Sequence, residues 1–283
     1  IISAGLPIAK FGSENLKQIT IPKIITGDLI LSVAILESLH RDLTNPKTTL
    51  EDLNGIKFLS GQKNCVPYAK EADFILVPCK DKSGELLLIF VDSNCKGLQF
   101  KELESTTKEP QYSMELDKVK TNDDLILASG SKAKDILDWL ILRTTAALCS
   151  FAVGISQASL DLTKSYTSSR LAFNRPISSF QAVAHRAADC YIDIACLRAV
   201  TEQAISLLDL ERDSQEQVSI AKIWCGDVAH RVSHAAQHLH GGIGVDRDYN
   251  LFRYCLWAKQ LELTLGSSKN HLSSLGKMLA RSN

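Results

Sequence analysis

Two arginines around one aromatic ring are the first residues in this sequence that suggest a ligand. Residues 166–181 read YTSSRLAFNRPISSFQ, with Arg170 and Arg175 on either side of Phe173. A guanidinium can grip a phosphate through paired N–H donors, and a neighbouring ring can stack on a flat base. Downstream, His240-Gly241-Gly242-Ile243-Gly244 closes a helical pattern, with Asp248-Tyr249 and Arg253 after it. Glycine there lets backbone approach a ligand closely. Plainer readings stand beside these. The arginines suit the C-terminal end of a helix dipole. Gln181, three residues after Ser178, can be a capping-box residue. Phe173 can be core, and the glycines can be no more than a helix stop. His230, His234 and His238 recur at four-residue spacing, but no acidic residue or cysteine joins them, so no metal is expected. The glycines do not follow a strand, so they are not a Rossmann-type fingerprint.

The same residues carry a family resemblance. Acyl-CoA dehydrogenases have the pattern Arg-x-x-Phe-Gly-x-Pro-Ile-x-x-x-Gln, and Arg170, Phe173, Pro176, Ile177 and Gln181 stand at that spacing, with Asn174 in place of the glycine. The His-Gly-Gly-Ile-Gly text resembles the second family signature. The resemblance implies an FAD-dependent oxidoreductase that introduces an α,β double bond into an acyl-CoA thioester. In that family the adenosine and pyrophosphate end of each FAD is held partly by the neighbouring subunit. By position those cofactor-binding residues are Arg170, Phe173, Gln181, His238 and Gly242, with His238 replacing a glutamine.

The flavin-ring end departs from the family. Its Thr-Glu-Pro-Gly-Ala-Gly-Ser-Asp loop is Leu36-Glu37-Ser38-Leu39-His40-Arg41-Asp42 here, without a glycine. Its Trp-x-Thr-Asn segment is Cys65-Val66-Pro67-Tyr68. Leu265 stands where the family's usual catalytic Glu precedes Gly-Thr-Ser, and Thr144 stands at the alternative position on the first long bundle helix. Neither side chain can abstract a proton at neutral pH. The catalytic set is therefore expected to be empty, with Glu262, one turn before Leu265, as the rescue candidate. The pattern resembles the non-catalytic subunit of heteromeric, sterol side-chain type bacterial acyl-CoA dehydrogenases, which implies a catalytic partner subunit and an acyl-CoA substrate reached through the complex. Two alternatives stay open: an active homo-oligomeric dehydrogenase with a relocated base, and a flavin-free scaffold or binding relative.

The totals bound these readings. The 283 residues are 45% hydrophobic and 23% charged, with 32 basic and 32 acidic side chains. That suggests two globular domains and gives no global attraction to nucleic acid or an anionic membrane. No apolar run is expected to reach the ~18 residues of a spanning helix, and Ile1-Ile2-Ser3 has no basic region leading an apolar stretch, so no signal peptide is expected. The eight cysteines form no C-x-x-C, which points to reduced core residues of a cytoplasmic protein.

Periodicity supplies the elements that must position the site. Residues 1–26 look helical, with Gly12-Ser13-Glu14 as a turn and plausible cap and a polar turn at Thr26-Gly27-Asp28. By resemblance they are the remnant of an N-terminal helical domain that is otherwise mostly absent. Residues 27–130 read as a β domain, its short apolar runs (Phe74–Val77 and Leu86–Val91 among them) separated by turn pairs. Residues 131–283 read as a helical bundle. Leu137, Leu140, Ile141, Leu148, Phe151 and Ile155 recur at helical spacing in a first helix reaching Ser169. Later helices are expected from Ser178, from near Ser214 to Gly241, and over 251–265 and 270–280. The fold class is α+β, an acyl-CoA dehydrogenase fold with a central β-barrel-like domain followed by the bundle.

Overall fold

The computed structural model describes residues 2–38 and 42–282. It divides into two compact units, Ile1–Ile141 and Leu142–Asn283.

The first unit opens with α1 (Gly5–Phe11) and α2 (Glu14–Thr26). Ser13 caps α2 by accepting the Leu16 N–H at 3.2 Å, and Gly27, at φ 81°, ends it in the left-handed region. Eight strands follow: β1 (Leu31–Val33), β2 (Thr49–Leu53), β3 (Ile56–Pro67), β4 (Phe74–Lys80), β5 (Leu86–Asp92), β6 (Leu98–Leu103), β7 (Gln111–Thr121) and β8 (Ile126–Ser129). They form one sheet in the order β6-β7-β3-β2-β4-β5-β8, with β1 parallel to β4.

The apolar runs of β4 and β5 have a physical reason, since both faces of those strands are buried. Ile75, Val77, Leu87 and Ile89 enter one core with Leu59, Met114 and Val119. Leu76, Leu88 and Phe90 enter another, with Ile8 of α1 and with Ile136, Leu137 and Leu140. Those last three belong to α3 (Gly130–Ser169), the 40-residue helix whose opening turns lie in this unit.

One buried ion pair stitches the sheet to the segment after β1. The Lys63 ammonium lies 2.7 Å from the Glu37 carboxylate, with side chains 0% and 5% exposed. Lys63 also donates to the Pro78 carbonyl, and Glu37 accepts the N–H groups of Lys47 and Thr48 and the Thr48 hydroxyl. Burial works to raise the Glu37 carboxyl, but these donors hold it below its usual value. Burial pushes the Lys63 amine down despite Glu37.

The second unit is helical. It holds the rest of α3, a hairpin of β9 (Leu171–Ala172) and β10 (Arg175–Pro176), then α4 (Gln181–Asp209), α5 (Gln215–His240), α6 (Leu251–Leu263) and α7 (Ser268–Ser282). Cys149, Ala152 and Ile155 of α3 pack with Ile194 and Leu197 of α4, Val228 and Val232 of α5, and Leu261 of α6. Lys222 of α5 is fully buried and donates to the carbonyls of Leu261 (2.6 Å) and Glu262 (3.1 Å), closing the C-terminal end of α6.

Three expectations need correction. Helix α4 begins at Gln181 rather than Ser178, because residues 177–179 form a 3₁₀ turn and the Ser179 hydroxyl donates to Pro176. No side-chain cap closes α4, so Gln181 is not a capping-box residue. Helix α3 contains an 18-residue window of mean hydropathy 1.6, long and apolar enough to cross a membrane by length and composition. Its serines, threonines and glycine interrupt every apolar run, which hid it from an uninterrupted-run criterion. Cys65 is exposed rather than core, at φ 49° beside a bulge in β3.

Replacing Glu37 with Gln strands the Lys63 charge. We expect a loss of about 3–5 kcal/mol, with part recovered in the double variant Glu37→Gln/Lys63→Met. Urea unfolding of both variants measures it.

Candidate functional site

The end of α3 and the end of α5 form two sides of an open concavity of about 580 Å³. Tyr166, Arg170 and Ile177 line one side, and residues 238–243 line the other. Three of the predicted cofactor residues, Arg170, His238 and Gly242, meet here. Among the described residues no carboxylate pairs with the Arg170 guanidinium. Gly241 ends α5 at φ 63°, and its N–H is taken by the Gln237 and His238 carbonyls. A Cβ on Gly241 or Gly242 would meet nothing within 4 Å, so both face open space. With no side chain at Gly241 or Gly242 to crowd the concavity, the Arg170 guanidinium is a charged donor that an anion can reach.

Phe173 and Gln181 do not line that concavity. Phe173 and Asn174 are the two loop residues of the β9–β10 hairpin, at φ 54° and 61°. Positive φ at both positions is the type I′ geometry that suits tight hairpins. It explains Asn174, which tolerates the left-handed region, but a bulky Phe pays for it in strain. The Phe173 ring is 91% exposed. An aromatic ring held at a strained hairpin tip, out of any core, is available to a flat ligand or to another chain. Arg175 does not sit with Phe173. Its guanidinium lies 4.1 Å over the ring of Phe180, and Phe180 meets Phe173 edge-on at 6.2 Å. Gln181 follows Phe180 as the exposed first residue of α4.

The sequence reading missed what ties the two sides together. His240, in the last turn of α5, is 3% exposed. Its ring stacks on Tyr166 of α3 at 4.6 Å. Nδ1 lies 2.7 Å from the Ala236 carbonyl, and Nε2 lies 3.1 Å from the Tyr249 hydroxyl. Since a carbonyl only accepts, Nδ1 carries the proton and bare Nε2 accepts the Tyr249 O–H. Burial lowers the imidazole from its ordinary value, against the pull of the Ala236 carbonyl. Tyr166, His240 and Tyr249 all stood within the quoted signatures; the available signal was a histidine placed directly before the helix-stopping glycines.

The positions of the expected base hold no free carboxylate. Leu265 is buried at φ 55°, and its carbonyl accepts from His271 Nε2 at 3.0 Å. Thr144 is half-buried in α3. The Glu262 carboxylate pairs with Lys259 at 2.5 Å and lies 3.9 Å from His230. In the segment expected near a flavin ring, Leu39, His40 and Arg41 lie outside the described residues. Leu36 accepts the Asn64 N–H at 2.8 Å, and Ser38 accepts from the Asn64 amide at 3.0 Å. Among the described residues no cluster of three or more His, Cys, Asp or Glu is arranged to hold a metal.

Residues 139–280 match the family description "Acyl-CoA dehydrogenase, C-terminal domain". The acyl-CoA dehydrogenase FadE27 of Mycobacterium tuberculosis is 32% identical over 288 residues, spanning 99% of this chain and 74% of that protein. The chain belongs to the acyl-CoA dehydrogenase family. It is thus a member of an oxidoreductase family, and the fold agrees. The ChsE4–ChsE5 complex from Mycobacterium tuberculosis superposes with a TM-score of 0.91 at 32% identity, covering 99% of this chain and 74% of that one. The Tcur3481–Tcur3483 steroid ACAD gives 0.89 at 33%, covering 99% and 75%.

Relieving the hairpin strain separates stability from binding. Phe173→Asn is expected to stabilise the protein by about 1 kcal/mol, because asparagine is at ease in the left-handed region. The same change removes the exposed ring, and where Phe173 meets adenosine, as proposed below, it is expected to weaken FAD binding as well. Thermal unfolding and flavin fluorescence titration of one variant check both.

Proposed function

We propose that this chain is the non-catalytic subunit of a heteromeric acyl-CoA dehydrogenase and completes the FAD site of a catalytic partner. The observation that carries the reading is the open concavity with Arg170 unpaired beside Gly241 and Gly242. Its chemistry suits the pyrophosphate and adenosine half of FAD. Arg170 would pair with the pyrophosphate, His238 would donate a hydrogen bond, and Gly242 would let the backbone approach. Phe173 and Gln181, at the hairpin and the start of α4, would meet the adenosine end. FAD, when bound, supplies the hydride acceptor for α,β-dehydrogenation of an acyl-CoA thioester.

The rest of the catalytic apparatus is assigned to the partner. Leu265 and Thr144 cannot take a proton. Glu262 is already engaged by Lys259, which disfavours it as a relocated base. The names of the ChsE4–ChsE5 complex and of the Tcur3481–Tcur3483 steroid ACAD each join two components, which supports a partner subunit and a sterol-derived acyl-CoA as the substrate of the complex. The proposal places the protein in the cytoplasm. It takes 1–26 as the remnant of an N-terminal helical domain, 27–130 as the β domain and 131–283 as the bundle.

Arg170→Ala is expected to weaken FAD binding by the co-purified complex roughly tenfold or more, the cost of a lost charge-assisted contact, and to lower its flavin-to-polypeptide ratio. Visible absorbance of the complex measures it, and an unchanged ratio would remove Arg170 from the site. Acyl-CoA turnover by the complex is expected to survive Glu262→Gln. Turnover by this chain alone, abolished by that substitution, would overturn the non-catalytic assignment.

A further inference from the structure

We propose that His240 is a positioning residue for this site: its uncharged imidazole fastens the end of α3 carrying Arg170 to the Gly241–Gly242 turn, and taking up a proton releases that fastening and weakens anion binding. The inference rests on the half-site reading above and adds its regulation.

The geometry is a three-way tie. The His240 ring lies against Tyr166 on one element and Tyr249 on another, while Nδ1 is fixed to the Ala236 carbonyl one turn back. Tyr166 is one turn before Arg170, whose N–H donates to the Tyr166 carbonyl at 2.8 Å. The ring therefore sets the spacing between the guanidinium and the glycine backbone, the two groups an anion must reach together. A second proton, on Nε2, would point an N–H at the Tyr249 oxygen and force that hydroxyl to find another acceptor. It would also charge a ring that is 3% exposed.

The neighbouring ionisable groups do little to offset this. On α3 they are Tyr166 and Arg170, on α5 His238, and in the loop that follows Tyr249 with Asp246, Arg247 and Asp248. Arg170 is cationic and lines the same concavity. The Asp246 carboxylate accepts the Asp248 N–H, and no carboxylate bonds the ring. Tyr166 offers the charge only the face of its ring. His238 is exposed and lines the same concavity, so the test replaces it with glutamine and follows His240 alone.

The test uses full-length protein with its partner subunit, in a His238→Gln background that restores the family glutamine. Affinity for FAD is followed by flavin fluorescence from pH 8 to pH 5. Amide hydrogen exchange over residues 236–246 of the ligand-free protein is followed in parallel, corrected for the intrinsic pH dependence of exchange. Below the His240 midpoint, affinity is expected to fall by up to about tenfold per pH unit, the limit for one linked proton, and the turn is expected to lose protection over the same range. His240→Gln should flatten both curves. Tyr249→Phe, which removes the O–H that favours bare Nε2, should move both midpoints to higher pH. If FAD binds but neither substitution changes the profile, the half-site stands and the fastening falls. If FAD binds at no pH while exchange still follows His240, the half-site falls and the fastening stands. Should His240→Gln fail to fold, the Tyr249→Phe midpoint decides.

Discussion

A buried neutral imidazole is the constraint on which the candidate site depends. Ending α5 at Gly241 leaves helix carbonyls facing forward and places flexible glycine backbone next to the end of another helix. Nothing in two glycines fixes where they lie. His240 does so, with both ring nitrogens engaged and one face against Tyr166. The arrangement works only while the ring is uncharged, because Nε2 must remain an acceptor. The same bundle uses a buried cation where a helix end must be closed rather than opened. Lys222 fills the C-terminal carbonyls of α6, whereas the carbonyls closing α5 are met by the Gly241 N–H. One helix end is sealed by a side chain; the other is sealed by backbone and stays open to a ligand.

Local chemistry made much of this fold legible. Ser13 caps α2 as expected, Gly27 ends it within the expected turn, and Gly241 ends α5. The unbroken apolar runs of β4 and β5 marked strands buried on both faces. What stayed hidden was non-local. Nothing in the sequence singled out Lys63, because its partner Glu37 lies 26 positions away. His240 stood in the second signature with no role of its own, and only the fold stacks its ring on Tyr166. The β9–β10 hairpin was missed for another reason. Two-residue strands carry no periodicity, and its loop is Phe-Asn rather than Asn-Gly. The capping pattern at Ser178 and Gln181 misled because a 3₁₀ turn took up the serines first.

The strained residues divide by what surrounds them. Leu265, at φ 55°, is buried, with its carbonyl held by His271. Surrounding structure over-determines that conformation, so its strain belongs to the fold. Phe173 has the same backbone state and almost no cover. Burial contributes nothing to keeping an aromatic residue there, and the hairpin would be better served by asparagine or glycine. Burial does not offset the backbone strain at Phe173 as it does at Leu265, and that difference suits the adenosine-facing role proposed for Phe173.

The departures from the family pattern follow a related division. Glu37 matches the family loop, and among the described residues of that loop it is the one that pairs with a buried charge. Removing it would strand Lys63 whatever the loop touches. Leu36, beside it, contributes its carbonyl to Asn64, a bond that any side chain permits. The hydroxyl expected there can therefore be absent without disturbing the backbone. Leu265 is a similar case: the turn uses its carbonyl, and an apolar side chain suits the buried position better than an unpaired carboxylate would. At these three positions the groups that serve the fold are the Glu37 carboxylate and the carbonyls of Leu36 and Leu265, and the fold asks nothing more of the side chains at 36 and 265 than apolar cover at the buried 265.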